Sequence, residues 1–424
     1  MKRVLVLTYY WPPAGGSGVQ RWLKFVKYFR EFGIEPIVFT VENPEYPILD
    51  LSLESDIPEG VEVIRQKIWE PNSFLKLFKG KRKESAGFLN PNPGFVGRWL
   101  QFIRANYFIP DARKFWIKPS VKKLTKYLQE SQVDAIITTG PPHSVHLIGY
   151  ALKQSLGVNW IADFRDPWTE IDYFHQLPLT KKSVAKHHEL EQKVVKTADM
   201  VVVVGNTMKK NYEHFSSKIE VVTNGYDFNI KKGNVELDTE FSILHIGLLN
   251  ADRNPQILWN LLIEFVEEAN PILEDLKVRL VGKVDPSIVR YIEKNGLQSF
   301  VEFMDYKPHK EILKLQQSAQ CLLLSVNNVP SAKGIVTGKL FEYLAVNRPI
   351  LAIAPKDGDL ASILPDTRAG FVVDFQAKEA LRKNLLEMYV DYKKGTLHAQ
   401  GRGVEQYHRK ALTQKMVGLI EEIC

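Results

Sequence analysis

The feature that most constrains this chain is an alternation that runs through it twice. Short β-branched runs alternate with longer stretches whose apolar residues recur at spacings of three and four. A strand covered on both faces reads as a continuous apolar run and its crossover helix as a 3.6-residue period, so the pattern predicts βα units feeding a parallel sheet. In the first half, strands are predicted near Val4–Thr8, Pro36–Thr40, Val61–Ile64, Asp134–Thr138, Asn159–Asp163, Met200–Val204 and Glu220–Val222. A helix is predicted over Val19–Phe32, where Val19, Trp22, Leu23, Val26 and Phe29 form one stripe. After Thr223-Asn224-Gly225-Tyr226-Asp227 comes a polar stretch with Lys231-Lys232-Gly233-Asn234, which reads as a linker. The alternation then restarts. Strands are predicted near Ser242–Ile246, Lys277–Val281, Val301–Phe303, Cys321–Val326, Pro349–Ala354 and Phe371–Val373, with helices such as Pro255–Glu267 and Lys339–Val346 between them and a last one over Val404–Ile423. The expected fold is α/β: two doubly wound parallel-sheet domains, whose ligands belong beyond the carboxyl ends of the strands.

Composition bounds the function classes. Apolar residues at 45% and charged residues at 25% of 424 are those of an ordinary folded chain. Two cysteines, Cys321 and Cys424, leave no disulfide framework and no Cys-rich zinc site, which predicts a reducing compartment. Val4–Leu7 is too short for a signal-peptide core, and no segment reaches the ~18 apolar residues of a membrane span. A cytoplasmic location is expected, either free or at the inner face of the cell membrane. The net charge of +7 favours an anionic partner without choosing among nucleotide, acidic lipid and nucleic acid.

Five segments that follow strands carry candidate chemistry. The first, Tyr9 to Gly18, holds Gly15, Gly16 and Gly18 before a helix, where small residues let backbone amides approach an anion; the alternative is a tight turn. It is neither a dinucleotide fingerprint, since Arg21 stands where the third glycine belongs, nor a Walker A loop. In Thr139-Gly140-Pro141-Pro142-His143-Ser144, His143 at a helix start can donate to a sugar hydroxyl or phosphate, or can be a surface or capping histidine. Asp163-Phe164-Arg165-Asp166-Pro167-Trp168 either recognises a polar acceptor through Asp163, Arg165 and Asp166 or knots the loop with internal salt bridges. In the second half, Gly247 and Arg253 follow a strand, where Arg253 can clamp a pyrophosphate or be a solvated loop charge. The segment Gly334 to Ala345 is the strongest. Free amides near Thr337-Gly338, with Lys339, can meet phosphate while Glu342 accepts from ribose hydroxyls, against the default of a surface ion pair.

Two further segments are ambiguous. Asp357-Gly358-Asp359 has the spacing of a metal-binding carboxylate pair but reads better as a turn beside Pro355 and Lys356. The basic and aromatic tract from Phe74 to Lys126, with Lys76, Lys79, Lys81, Arg82, Lys83, Trp99, Phe102, Phe108, Phe115 and Trp116, suits an anionic membrane surface; a helical insertion or a nucleic-acid face are the other readings.

Taken in order, these loops resemble glycosyltransferase family 4. The glycine loop, Pro141-Pro142-His143-Ser144, Thr223 to Asp227, Gly247 with Arg253 six residues on, Val281-Gly282 and the Glu342 helix carry the resemblance end to end. It implies the GT-B fold: a Rossmann-like acceptor-binding domain over 1–225, a Rossmann-like nucleotide-sugar domain over 226–403, and a C-terminal helix over 404–424 packing back on the first. It also implies retaining transfer from a nucleotide sugar, with no cofactor and no obligatory metal. By position, Gly16 and Gly18 lie near the donor phosphates and acceptor, and His143 is the residue implied to touch the donor sugar. Arg253 stands where the family usually has a pyrophosphate-binding lysine, and Glu342 matches the ribose-binding glutamate of a paired motif. Two positions depart: Gly334 stands in place of the first glutamate, which meets the transferred sugar, and Leu248 in place of a frequent arginine.

The leading expectation is a retaining hexosyl- or N-acetylhexosaminyltransferase, using a UDP- or GDP-sugar and a lipid-linked or polysaccharide acceptor in cell-surface glycan synthesis. Peripheral membrane contact is expected through 74–126, and nucleic acid is not an expected partner. The alternatives are a GT-B relative acting on a soluble acceptor or nucleotide sugar, and a catalytically silent scaffold.

Overall fold

Both halves of the chain build parallel sheets whose strand order reverses once. The computed structural model describes residues 1–70, 94–228 and 235–424. Its contacts divide the chain into two units, Met1–Thr223 with Arg409–Cys424, and Asn224–His408.

The first unit runs β1 (Lys2–Leu7), α1 (Ser17–Phe29), β2 (Ile34–Val41), β3 (Glu62–Gln66), α2 (Phe95–Tyr107), α3 (Lys114–Glu130), β4 (Ala135–Gly140), α4 (Ser144–Leu156), β5 (Trp160–Phe164), α5 (Lys181–Thr197), β6 (Met200–Val203), α6 (Asn206–Tyr212) and β7 (Ile219–Val221). Its seven strands lie in the order β3-β2-β1-β4-β5-β6-β7, all parallel, with Val4 beside Ala135 and Leu5 beside Ile37. Alternate side chains feed opposite cores. Leu5, Leu7, Phe39, Ile136, Ala162 and Val203 face one way, and Val4, Val6, Val38, Ile137, Ile161 and Val202 face the other. Helix α1 starts at Gly16, whose φ of 83° only glycine adopts freely, and ends at Phe29. The predicted helical residues to Phe32 tighten into a 3-10 turn closed by the left-handed Gly33.

The second unit runs β8 (Phe241–Ile246), α7 (Gln256–Glu267), β9 (Leu276–Val281), α8 (Pro286–Lys294), β10 (Val301–Met304), α9 (His309–Ser318), β11 (Cys321–Ser325), α10 (Gly338–Val346), β12 (Ile350–Ile353), α11 (Asp359–Thr367), β13 (Gly370–Val373) and α12 (Lys378–Lys393). Its six strands lie in the order β10-β9-β8-β11-β12-β13, again all parallel. The predicted helix over Val404–Ile423 is two pieces, a 3-10 turn at Val404–Tyr407 in the second unit and α13 (Arg409–Ile423) in the first. Leu412, Met416, Val417 and Ile420 of α13 join the core formed by Trp22, Phe25, Val26 and Phe29 of α1. Each such fully buried side chain is worth roughly 1.5–3 kcal/mol.

The reversal points place the sites. In the first unit the order turns between β1 and β4, and in the second between β8 and β11. Adjacent strands there send their crossovers to opposite faces, so the loops that follow them part and leave a crevice. Those loops are 8–16 and 141–143 in the first unit, and 247–255 and 326–337 in the second.

Candidate donor and acceptor sites

In the second unit, β8 is followed by Gly247 with φ 103° and β9 by Gly282 with φ 113°. A Cβ on Gly282 would come 2.9 Å from the Gly247 carbonyl oxygen, so the two strand ends close together because Gly282 lacks a side chain. Across from them stands Lys339 in the first turn of α10. A Cβ on Gly247 would overlap its Nζ and lie 2.8 Å from its Cε. Arg253, on a 3-10 turn over Ala251–Arg253, is the second cation. Its Nε donates to Asn327 Oδ1 at 3.0 Å and its Nη1 to the Leu248 carbonyl at 3.3 Å. The Ser325 hydroxyl donates to the Arg253 carbonyl at 2.8 Å and the Asn328 amide to the Asp252 carbonyl at 2.7 Å, zipping the two reversal-point loops together.

Burial first, and then the Arg253 guanidinium, pull the Lys339 ammonium down to about 8, with Glu342 opposing. Two cations held this close repel, and a dianion between them relieves both the repulsion and the desolvation. Thr337 caps α10 with its backbone but not its side chain, and its Oγ1 is buried without a partner. Gly338 is exposed, with open space where a Cβ would stand. Beside this cationic corner lies a cavity of about 190 Å³ lined by Ile246, Val281, Ile312, Tyr306, Lys307 and Glu342, as well as Gly247 and Gly282. Apolar walls with one carboxylate at the edge suit a flat heterocycle bearing hydroxyls.

In the first unit the polar chemistry of the loops turns inward. Asp163, wholly buried at the end of β5, accepts from Arg21 Nη2 at 2.8 Å, Trp22 Nε1 at 2.7 Å and Thr139 Oγ1 at 2.9 Å. Burial alone would raise its carboxyl, but Arg21, Trp22 and Thr139 hold it below the ordinary range. Arg165 donates to the carbonyls of Gly18 and Pro141, and through Nε to Gly140 at 3.3 Å, with its guanidinium over the Tyr10 ring. Direct acceptor contact by Asp163 and Arg165 is therefore corrected: every polar edge of Asp163 is spent internally, and Arg165 staples the loops after β1 and β4. Asp166 alone of the three is exposed. Gly18 owes its small size to this staple, since a Cβ would meet the Tyr10 ring at 3.2 Å and Arg165 Nη1 at 3.4 Å. Gly16 and Ser17 remain exposed at the uncapped start of α1.

His143 is buried to 8% exposure at the start of α4, stacked on Trp168 with ring centroids 4.7 Å apart and planes 5° apart. Asp111 accepts from the next residue's amide at 2.9 Å and from its hydroxyl at 2.8 Å, so Ser144 and the helix start are fixed. Burial, then His146, Arg165 and His187, hold the His143 imidazole well below the ordinary histidine range. It is neutral at neutral pH and able to donate from one nitrogen and accept at the other.

Against known families, the sequence model described as Glycosyltransferase Family 4 matches residues 16–229, more than half of the chain. The chain belongs to glycosyltransferase family 4. No curated protein matches the sequence. Among solved structures, the chain is similar to the sucrose-phosphate synthase of Thermosynechococcus elongatus (15% identity, 100% of this chain and 99% of that one covered, TM-score 0.65). It is also similar to the lipopolysaccharide outer core galactosyltransferase WaaB (13%, 100% and 99%, 0.59). A third is an S. aureus TarM variant in complex with fondaparinux, α-GlcNAc-glycerol and UDP (12%, 99% and 100%, 0.60). At such identities these likenesses speak to the fold, which is GT-B.

In this glycosyltransferase, Gly247, Arg253, Thr337, Gly338, Lys339 and Glu342 all lie on the two loops at the β8–β11 reversal or on the helix that follows them. Sequence reasoning missed Tyr306 and Lys307 on the cavity wall, although an exposed aromatic just after a strand was their available signal. It also missed the Arg21–Asp163 pair and the Trp168 stack. Asp357 pairs with Lys333 in a turn and Asp359 opens α11; among the described residues no cluster of three His, Cys, Asp or Glu could hold a metal. Of the basic tract, Phe74, Lys76, Lys79, Lys81, Arg82 and Lys83, like the linker Lys231 to Asn234, lie outside the described residues. Trp116 is core, stacked on Phe39, whereas α2 buries none of its residues and exposes Phe95, Val96, Trp99, Phe102 and Tyr107. Among the described residues no helix is long and apolar enough to cross a membrane.

Proposed function

We propose that this glycosyltransferase moves a hexosyl or N-acetylhexosaminyl group, with retention of configuration, from a UDP- or GDP-sugar to a lipid-linked or polysaccharide acceptor of the cell surface. The observation that carries the donor half is the Lys339–Arg253 cation pair beside an apolar cavity edged by Glu342. The nucleoside fills the cavity, with Tyr306 and Ile312 against the base and Glu342 accepting from ribose hydroxyls. The diphosphate takes Lys339, Arg253 and the free amides at the start of α10. As the bond from the anomeric carbon to the phosphate oxygen breaks, negative charge grows on the leaving diphosphate, where these fixed donors stabilise it without reorganising. The acceptor hydroxyl attacks from the same face, giving its proton to the departing phosphate oxygen. No protein nucleophile is needed, and none is proposed.

His143 offers its neutral imidazole to a hydroxyl of the transferred sugar. Gly334, on a 3-10 turn before α10, brings no carboxylate to that sugar, which favours a donor lacking or masking one hydroxyl, a deoxy or N-acetylated type. The acceptor half rests on α2: five exposed apolar side chains interleaved with Arg98 and Arg104 suit the interface of an anionic bilayer, the inner face of the cell membrane. WaaB, by its name, works on a lipopolysaccharide, a membrane-borne acceptor of this kind.

A thermal-shift screen of UDP, GDP, ADP and CDP and their common sugar conjugates, on the wild type and Glu342→Ala, tests the donor half. A nucleotide at 100 times its Kd adds roughly 2.7 kcal/mol of apparent stability to the wild type, and at the same concentration Glu342→Ala keeps only about 0.4–1.4 kcal/mol of it. Co-sedimentation with vesicles of phosphatidylglycerol and phosphatidylethanolamine tests the acceptor half. A chain that stays in the supernatant, or binds equally well after Trp99→Ala with Phe102→Ala, removes the membrane from the reading.

A further inference from the structure

We infer that Trp168 is a positioning residue for His143: its indole, clamped by His187, fixes the plane of the imidazole and seals one face of it from water. The inference rests on the reading that His143 meets the donor sugar, and goes beyond it by naming what makes that histidine competent.

Trp168 is 2% exposed and lies face to face with His143, at 4.7 Å and 5°. A stack that close to parallel holds a ring whose own hydrogen bonds do not. His143 Nδ1 is buried with no partner, and Nε2 has none among the described residues, so neither nitrogen sets the ring's orientation. The indole is itself held. Its Nε1 donates to His187 Nδ1 on α5 at 3.1 Å, which fixes both the rotation of Trp168 and the tautomer of His187. The backbone on either side is anchored as well. Glu191, buried on the same helix, accepts from the Thr169 amide at 3.2 Å, from the Thr169 hydroxyl, and from the Tyr212 hydroxyl at 2.7 Å. A loop residue after β5 is thereby tied to α5 and α6.

His146 supplies the comparison. One turn further along α4, it stacks on Phe164 at 4.3 Å and is anchored by Thr138 Oγ1 at 2.9 Å from Nδ1, and burial brings it to about 3. His143 lacks any such polar anchor, and the indole takes its place. The charged and titratable groups around the His143 ring are His146, Arg165 and His187, with Asp111 at the helix start and Asp163 beyond His146. With two imidazoles and a guanidinium nearest, a water admitted to the ring face is what would let it take a proton.

The test is NMR on the full-length protein with 13C-labelled histidine, following Cε1 signals across about pH 5 to 8, the His143 signal being assigned by its absence in His143→Asn. The wild-type His143 signal is expected to stay flat. In Trp168→Leu it acquires a titration whose midpoint moves toward about 6.5, while Trp168→Phe, which keeps a ring on that face, stays flat. His146 stays flat in every variant. A His143 signal that remains flat in Trp168→Leu overturns the assignment, as does a His146 signal that begins to titrate alongside it, the mark of a loosened core. Should Trp168→Leu not fold, His187→Leu removes the acceptor of the indole, together with the ring that meets Phe174 and the imidazole that helps hold His143 down. It is expected to shift the His143 signal and spare His146, and an unmoved His143 signal overturns the assignment equally. Adding UDP-glucose, UDP-N-acetylglucosamine and GDP-mannose to the wild type separates the two layers: no perturbation of His143 by any of them overturns the donor-sugar reading, while the titrations still decide the role of Trp168.

Discussion

The Lys339 ammonium lies where the side chain of any residue but glycine at 247 would have to be. Gly247→Ala would therefore act twice, by straining a backbone at φ 103° and by pushing Lys339 out of the corner it shares with Arg253. Backbone strain of this kind costs about 1–3 kcal/mol. A fall in Tm of several degrees is expected, together with loss of the nucleotide-induced thermal shift. A variant that melts lower yet keeps the full nucleotide response would show that Lys339 is not needed where it stands.

Lys339 also sets a pH dependence. Its ammonium is held near 8 by burial and Arg253, and a bound diphosphate would restore it toward the ordinary lysine range. Binding above pH 8 must then take up a proton. Nucleoside diphosphate affinity is expected to hold steady below that pH and to fall by up to about tenfold per unit above it, the slope of a single linked proton. Calorimetry in two buffers of different ionisation enthalpy measures the uptake directly. In Lys339→Met both the slope and the uptake disappear; if the slope survives, another group is titrating.

Strands were legible in this sequence because burial on both faces leaves short continuous runs, as in Val4–Leu7 or Cys321–Ser325, set between longer stretches of helical period. Gly247, Arg253, Lys339 and Glu342 were legible singly, as residue types at strand ends and a helix start. Their mutual approach was not, because it depends on the reversal between β8 and β11, a property of strand order. The first unit misled for the same reason. Asp163 and Arg165 look like ligand-seeking side chains in a loop, yet Arg21, 142 residues earlier, consumes the carboxylate and backbone carbonyls consume the guanidinium. Local pattern gives the residue type at a loop, and only the assembled sheet says whether the loop spends it inward or outward.

Glu342 separates ribose recognition from phosphate recognition. If it accepts from the ribose hydroxyls, a charged hydrogen bond worth about 1.5–3 kcal/mol is lost in Glu342→Ala, a weakening of roughly ten- to a hundred-fold. The same variant should lose its discrimination between UDP and 2′-deoxy-UDP, or between the GDP pair, measured by isothermal titration. Equal discrimination in wild type and variant would move the ribose contact elsewhere on the cavity wall.

The Arg21–Asp163 pair makes a stability prediction free of any ligand. Arg21 reaches Asp163 at 2.8 Å and also donates to the carbonyls of Val222 and Thr223, the last residues before the second unit begins. Asp163→Asn leaves a buried guanidinium without its counter-charge, which costs about 3–5 kcal/mol where both partners are buried. Because the folded carboxyl lies below its unfolded value, the pair's contribution is complete above about pH 4 and is lost as pH falls through the folded value. Urea unfolding of the full chain should therefore show a large deficit for Asp163→Asn at neutral pH that narrows in acid. Arg21→Met with Asp163→Leu should recover part of that deficit, though not the two carbonyl contacts. A deficit under about 1 kcal/mol at neutral pH, the scale of an exposed pair, would mean that water reaches this corner of the first unit.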